Sequence, residues 1–268
     1  MVFETGESRK LIDRVIERFE NKHPGFRVKV MDTPSNGYTQ KLYTMYASNT
    51  QADVTEARDV DVAELAKRNR LLDIDPYLRE AGLSLDDFFE QPLYLYRFDG
   101  RNHGNGPLYG LAKDWSPTCT VLYNERLLRE SGIRFPDRSM TWEEYHQFAR
   151  KLTKRDPKGR LIQVGALSDY AFSPPVFQSL LHQNGASFFN APGTRLTLDT
   201  PKAVETMRFW VKLREDCSLR TSEGGQSLEQ LVGSGKVATM FGARFMLAVV
   251  DKLTDDPWKM APSLHRDP

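Results

Sequence analysis

Phe19-Glu20-Asn21-Lys22-His23-Pro24-Gly25-Phe26-Arg27-Val28-Lys29-Val30 is the stretch that decides the fold of this chain. Its first half closes a helix, because Pro24 and Gly25 stop helical propagation. In its second half Phe26, Val28 and Val30 alternate with Arg27 and Lys29, the period of a strand with one buried face. Upstream, Leu11, Ile12, Val15, Ile16 and Phe19 recur at helical spacing behind Thr5-Gly6-Glu7-Ser8, which reads as a turn with a helix cap. Residues 1–4 read as the tail of a strand. Strand, helix, strand is the opening of a βαβ sheet.

Outward from there the alternation continues. Helical spacing covers 38–47, a short buried strand 53–56, and a helix 60–68 that gives way at 71–76. Such alternation predicts a parallel sheet covered by helices, with right-handed crossovers. Residues 98–110 carry Gly100, Gly104, Gly106, Pro107 and Gly110 and read as a loose approach to a hinge. Beyond it a strand is predicted over 120–123 and a helix over 125–131, stopped by Gly132. Thr141-Trp142-Glu143-Glu144 is a capping box, in which Thr141 caps the backbone and Glu144 reaches back, so a helix starts at Trp142 and runs to Leu152. A short strand follows at 165–167. Helices are predicted at 175–184, at 200–214 with Thr200 as cap and Pro201 in the first position, at 228–234 and at 243–253. Strands are predicted at 236–241 and 258–261.

At 268 residues the chain is long enough for two lobes of ordinary size. Its 37 Lys and Arg are scattered and nearly balanced by 36 Asp and Glu, which leaves no electrostatic footprint for nucleic acid. Two cysteines, Cys119 and Cys217, are too few for a disulfide framework and too far apart for a CxxC pair. They read as two small buried apolar groups or as one bridge. No run approaches the roughly 20 apolar residues of a membrane-spanning helix, and no basic stretch followed by an apolar core opens the chain.

Catalytic signatures fail on spacing. In Gly233-Ser234-Gly235-Lys236 the first glycine of a phosphate loop would fall at Gln230 and its hydroxyl residue at Val237. Gly104-Asn105-Gly106 lacks the third glycine of a dinucleotide fingerprint and runs into Pro107, so it reads as a turn. The five histidines are dispersed, with no HExxH and no Cys/His cluster, so no metal and no cofactor is expected. No Gly-x-Ser-x-Gly elbow is present. Asp59, Asp61 and Asp114 remain candidate carboxylates for glycoside hydrolysis, since the separation of such a pair is a property of the fold.

The stretch 19–30 also resembles the phrase with which the extracellular carbohydrate-binding proteins of bacterial ABC importers, the maltose-binding-protein-like family, follow their first strand. Other landmarks of that family recur in its order: Ala52-Asp53-Val54, Gly110-Leu111 leading to Tyr123-Asn124, Gly132-Ile133 with Pro136, Thr141-Trp142-Glu143-Glu144, Lys151-Leu152-Thr153, Asp199-Thr200-Pro201, and Gly235-Lys236-Val237-Ala238-Thr239-Met240. The resemblance implies an α/β chain with a two-lobed, type II-like periplasmic-binding-protein fold, each lobe a mainly parallel sheet flanked by helices, with an interlobe cleft. It places lobe 1 at 1–112, with 254–268 returning to it, and lobe 2 at 113–253. It implies a non-enzymatic subunit, a monomer, that captures a mono- or oligosaccharide and delivers it to a transmembrane permease. The location implied is periplasmic or extracellular, anchored if the precursor is a lipoprotein. Against that family the chain reads as truncated at both ends, without export signal and with an incomplete first lobe. A non-sugar solute such as a polyamine, an iron complex or a phosphate ester is the alternative cargo, and a glycan-active hydrolase the alternative class.

A pyranose has apolar faces and a hydroxyl rim, which suit flat aromatic side chains beside charged hydrogen-bonding groups. Loops at the C-terminal ends of parallel strands supply both. Trp115 leads the candidates, in Lys113-Asp114-Trp115-Ser116-Pro117 at the predicted crossing between lobes, with Asp114 beside it. Glu4 and Thr5 follow the first strand, Arg58 and Asp59 the next, and Tyr38 leads a helix. In the second lobe Tyr170 and Phe172 follow one strand, and Phe241 with Arg244 another. Trp142 and Trp210 sit at helical spacing and read as core.

Overall fold

The computed structural model describes residues 1–2, 6–34, 37–116, 118–135, 138–168, 174–218 and 227–266. The chain divides into two compact units, Met1–Trp115 and Ser116–Pro268.

The first unit opens on parallel pairing at residues 1 and 2. Val2 forms a parallel bridge with Asp32. On its other side the Met1 amine donates to the carbonyl of Val54 (2.7 Å), and the Glu56 amide donates to the carbonyl of Met1 (3.1 Å), the pattern of a parallel pair. Helices α1 (Gly6–Lys22), α2 (Tyr38–Ala47) and α3 (Asp59–Lys67) fall where the periodicity puts them. The buried centre is Met1, Tyr38, Leu42, Tyr46 and Leu65. The predicted strand at 26–30 does not form: residues 26–29 are exposed, and the Val28 amide donates to the Glu20 carboxylate rather than to a neighbouring strand. Along α1, Leu11, Val15 and Phe19 remain exposed.

Two short helices, α4 (Asp75–Glu80) and α5 (Glu90–Tyr96), lie in a region without a clear period. The glycine-rich stretch 98–110 is not loose, since most of it forms a hairpin. Strand β1 (Arg97–Phe98) pairs antiparallel with β2 (His103–Leu108), with an irregularity between Arg97 and Phe98. Its glycines are structural. Gly104 has φ +85°, and a Cβ there would lie 2.1 Å from the Tyr94 ring, while one on Gly106 (φ +76°) would lie 2.7 Å from the Asp99 Cα. The hairpin is fastened by Arg97, which donates twice to the Asp75 carboxylate (2.9 and 3.0 Å) and holds its carboxyl below the usual range.

The second unit is built on β3 (Thr120–Asn124), flanked by β6 (Thr239–Gly242) and β7 (Trp258–Ala261), both antiparallel to it. Parallel pairing appears here as the bridges Val164–Val237 and Leu167–Met240, so this unit is mixed rather than mainly parallel. The returning segment 254–268 is likewise corrected. Its strand β7 pairs with β3, and the His265 amide donates to the carbonyl of Met140, so the described part of it belongs to the second unit. Strands β4 (Lys154–Arg155) and β5 (Leu161–Gln163) form a small antiparallel pair.

Helices α6 (Glu125–Glu130), α7 (Trp142–Leu152), α8 (Pro174–Gln183), α9 (Pro201–Cys217), α10 (Leu228–Gly233) and α11 (Phe245–Val250) complete it. The capping box of α7 forms as read: the Glu144 amide donates to the Thr141 hydroxyl (3.1 Å) and the Thr141 amide donates to the Glu144 carboxylate (2.8 Å). Thr200 departs from its predicted role, its hydroxyl donating to the carbonyl of Thr197 instead of capping α9. Trp210, Tyr145 and Phe241 are fully buried at the centre, and Trp142 is buried beside them. Cys119 and Cys217 lie in the same core as free thiols, pushed by burial up to about 12 and about 11.

Candidate ligand-binding site

In the first unit the loop 56–58 is the meeting point of several elements. Tyr38, at the start of α2, donates its hydroxyl to the carbonyls of Glu56 (2.8 Å) and Met1 (3.2 Å), and Tyr96, at the end of α5, donates to the carbonyl of Ala57 (3.0 Å). The Lys113 ammonium lies 3.6 Å from the Glu56 carboxylate and also pairs with Asp114. The segment carrying Asp114 and Trp115 is thereby tied to the loop that precedes α3. Arg58 is exposed in that loop, pairing with Asp61 (3.5 Å) and donating to the Thr39 hydroxyl.

Trp115 is 47% exposed and packs against Phe89, which is 67% exposed, with ring centroids 5.4 Å apart and planes inclined at 35°. Phe89 precedes α5 in extended backbone (φ −63°, ψ 137°), so the helix start fixes its position. Two large apolar rings, packed on one another at an angle, are thus left largely in water beside Lys113 and Asp114.

The other sequence candidates divide. Glu4, Thr5, Tyr170 and Phe172 lie outside the described residues. Asp59 is the first residue of α3. Tyr38 is 2% exposed and its hydroxyl is committed to two carbonyls, so it serves the fold of the loop; burial pushes its phenol well up. Phe241 is 0% exposed, between Tyr145 (5.3 Å) and Trp210 (5.9 Å), because β6 is covered by helices on that face. Arg244 is exposed ahead of α11, in the second unit. Asp61, weighed as a catalytic carboxylate, is buried and accepts from the Arg58 amide and the Tyr43 hydroxyl. Among the described residues no group of His, Cys, Asp and Glu could hold a metal ion, and no helix is long and apolar enough to cross a membrane.

Sequence reasoning missed Phe89, Lys113 and Glu56. For Phe89 a signal was present: in Asp86-Asp87-Phe88-Phe89-Glu90 two adjacent aromatics at a helix start cannot both face one core.

The chain belongs to the bacterial extracellular solute-binding protein family, matching it over residues 5–262. It is 24% identical over 258 residues to an arabinooligosaccharide-binding protein of Bacillus subtilis, an alignment covering 92% of this chain and 55% of that one. Its fold is that of an ABC substrate-binding protein of Listeria monocytogenes in complex with cycloalternan (TM-score 0.77, 23% identity, 96% of this chain and 64% of the other). UgpB of Mycobacterium tuberculosis in complex with glycerophosphocholine gives a TM-score of 0.76 at 18% identity, over 97% of this chain and 65% of the other. The chain spans about half the length of the curated relatives it matches (49% and 55%).

Proposed function

We propose that this chain is the solute-capturing part of an ABC importer, that its cargo is a mono- or oligosaccharide, and that it does no chemistry on that cargo. The observation that carries the reading is the Phe89–Trp115 pair. Covering it with a sugar face removes apolar area from water at about 25 cal/mol per Å², and two rigid rings lose little rotamer freedom in doing so. Asp114 and Lys113 stand at its edge as charged partners for the hydroxyl rim. Relatives that bind an arabinooligosaccharide and cycloalternan support the same cargo class. In this reading the protein works as a monomer outside the cytoplasmic membrane, held there by a lipid anchor if its precursor carries one, and passes the sugar to a transmembrane permease.

A thermal-shift screen against mono- and oligosaccharides tests this. A sugar at a hundred times its dissociation constant stabilises the folded chain by about 2.7 kcal/mol. The expected result is a rise in melting temperature with at least one sugar, lost in Trp115→Ala. A rise with glycerophosphocholine, a polyamine or an iron complex and with no sugar would remove the proposed cargo; release of nitrophenol from aryl glycosides would remove the binding-only role.

A further inference from the structure

We infer that a groove along α9, in the second unit, is a binding site for a free straight-chain carboxylate, its alkyl chain lying in the groove and its head group held by Arg208 and Lys212. The inference uses none of the residues proposed for sugar and stands without that reading.

The groove encloses about 350 Å³, within the range of small-molecule sites. It exists because of how α9 is patterned. That helix buries Ala203, Thr206, Trp210 and Leu213 against the core. Next to this face runs a second apolar stripe, in which Met207 and Val211 are exposed where a surface helix ordinarily carries polar residues. The floor is Phe177 of α8, buried with Ala203 in one cluster. Leu198 adds a wall, and its neighbour Thr197 is fixed by an amide donating to the carbonyl of Phe188 and a hydroxyl donating to the carbonyl of Ser187.

The lining is polarised along the helix. Leu198, Phe177, Ala203, Val204 and Met207 gather at the N-terminal end of α9, whereas Arg208, Lys212 and Glu215 line the end beyond it. Arg208 and Lys212 are one turn apart and exposed, and neither side chain is paired with a carboxylate among the described residues. From Ala203 to Lys212 the helix rises about 14 Å, room for an extended alkyl chain and its head. A sugar has no tail to fill such a groove, and a neutral amphiphile leaves the two cations unmet. A carboxylate answers both requirements, because its oxygens accept charge-assisted hydrogen bonds while its methylenes leave water. Glu215 sets the net charge of the head: two cations against one acid leave a surplus that a single carboxylate balances.

The test is calorimetric titration of the 268-residue chain with hexanoate, octanoate and decanoate, and with decyltrimethylammonium as the cationic counterpart. Saturable one-to-one binding is expected, about five-fold tighter for each two carbons added, since the open groove buries each methylene only in part. Val211→Asp and Met207→Asp, both at exposed positions, are each expected to weaken decanoate at least ten-fold with unchanged melting temperature. Arg208→Gln combined with Lys212→Gln weakens it about ten-fold and removes the preference over decyltrimethylammonium. Decanoate binding untouched by both Asp substitutions would place it elsewhere and overturn the inference. So would affinity independent of chain length, tighter binding of the cationic counterpart, or no saturable binding. Phosphatidylglycerol vesicles that sediment the wild type but not Val211→Asp, with no saturable decanoate binding, would make the groove a membrane contact and overturn it equally. Each of these results leaves the sugar reading as it is.

Discussion

Trp115 and Phe241 are aromatics that both follow an extended stretch, yet one is half in water and the other has no exposed surface. The difference is made by what packs on them. Phe241 lies in β6 under Tyr145 of α7 and Trp210 of α9, whereas Trp115 meets Phe89 alone among aromatic partners in the described residues. Truncating Phe241 to alanine is expected to cost about 3–5 kcal/mol of stability, read from the urea midpoint, because the surrounding core cannot collapse around the void. Trp115 offers a direct optical handle, since Trp142, Trp210 and Trp258 are all buried. Acrylamide is expected to quench chiefly the Trp115 emission. Trp115→Phe removes the accessible fraction, and a bound sugar protects it. That a local motif carries Trp115 was legible from its Lys-Asp-Trp-Ser-Pro context. That Phe241 and Tyr38 are interior was not, because burial of a strand residue depends on helices distant in sequence.

At the scale of elements, helices declared themselves where caps and period coincide. Thr141 to Glu144 is the clearest case, and Thr141→Ala is expected to cost about 1 kcal/mol of the second unit's stability. The Arg138 guanidinium, then the Thr141 amide, hold the Glu144 carboxyl down to about 2 against an ordinary 4.5. A carboxyl depressed on folding adds stability above its unfolded pKa, and that contribution is lost as pH falls through the folded one. The wild type should therefore lose stability relative to Glu144→Gln between about pH 4.5 and about 2, measured by urea unfolding at stepped pH. Elements without a period stayed hidden. The β1–β2 hairpin carries three glycines, Gly100, Gly104 and Gly106, and its turn-rich composition masked the pairing of Arg97 with Leu108. Register is a relation between distant residues, and composition does not encode it.

For the whole molecule, the two units differ in how much they bury. Among the described residues the first has one apolar cluster, which includes Leu42, with Val62, Ala66, Phe98 and Leu108 buried outside it, while the second has three clusters, which include Trp210, Met240 and Leu181. The second unit also closes on itself. Arg126 donates to Asp256 and to the carbonyl of Gly235, Asn124 donates to the same carboxylate, and β7 follows directly to pair with β3. Asp256→Ala is expected to destabilise this unit by about 2 kcal/mol, since it leaves the partly buried guanidinium of Arg126 short of its main partner. A fragment covering 116–268 should fold alone with a cooperative thermal transition in circular dichroism. Two units were foreseeable from length and from the broken βα pattern near residue 110. The allegiance of 254–268 was not, since only the pairing of β7 decides it.

The two interior thiols have a practical corollary. Buried as they are, Cys119 and Cys217 offer no thiolate to a maleimide at neutral pH, and both are expected to react only after denaturation. A Glu90→Cys substitution, at an exposed position next to Phe89 in the chain, is then the one handle a dye can find without touching Lys113 or Asp114. Such a conjugate turns the chain into an optical reporter of its own cargo, with no native cysteine to remove first.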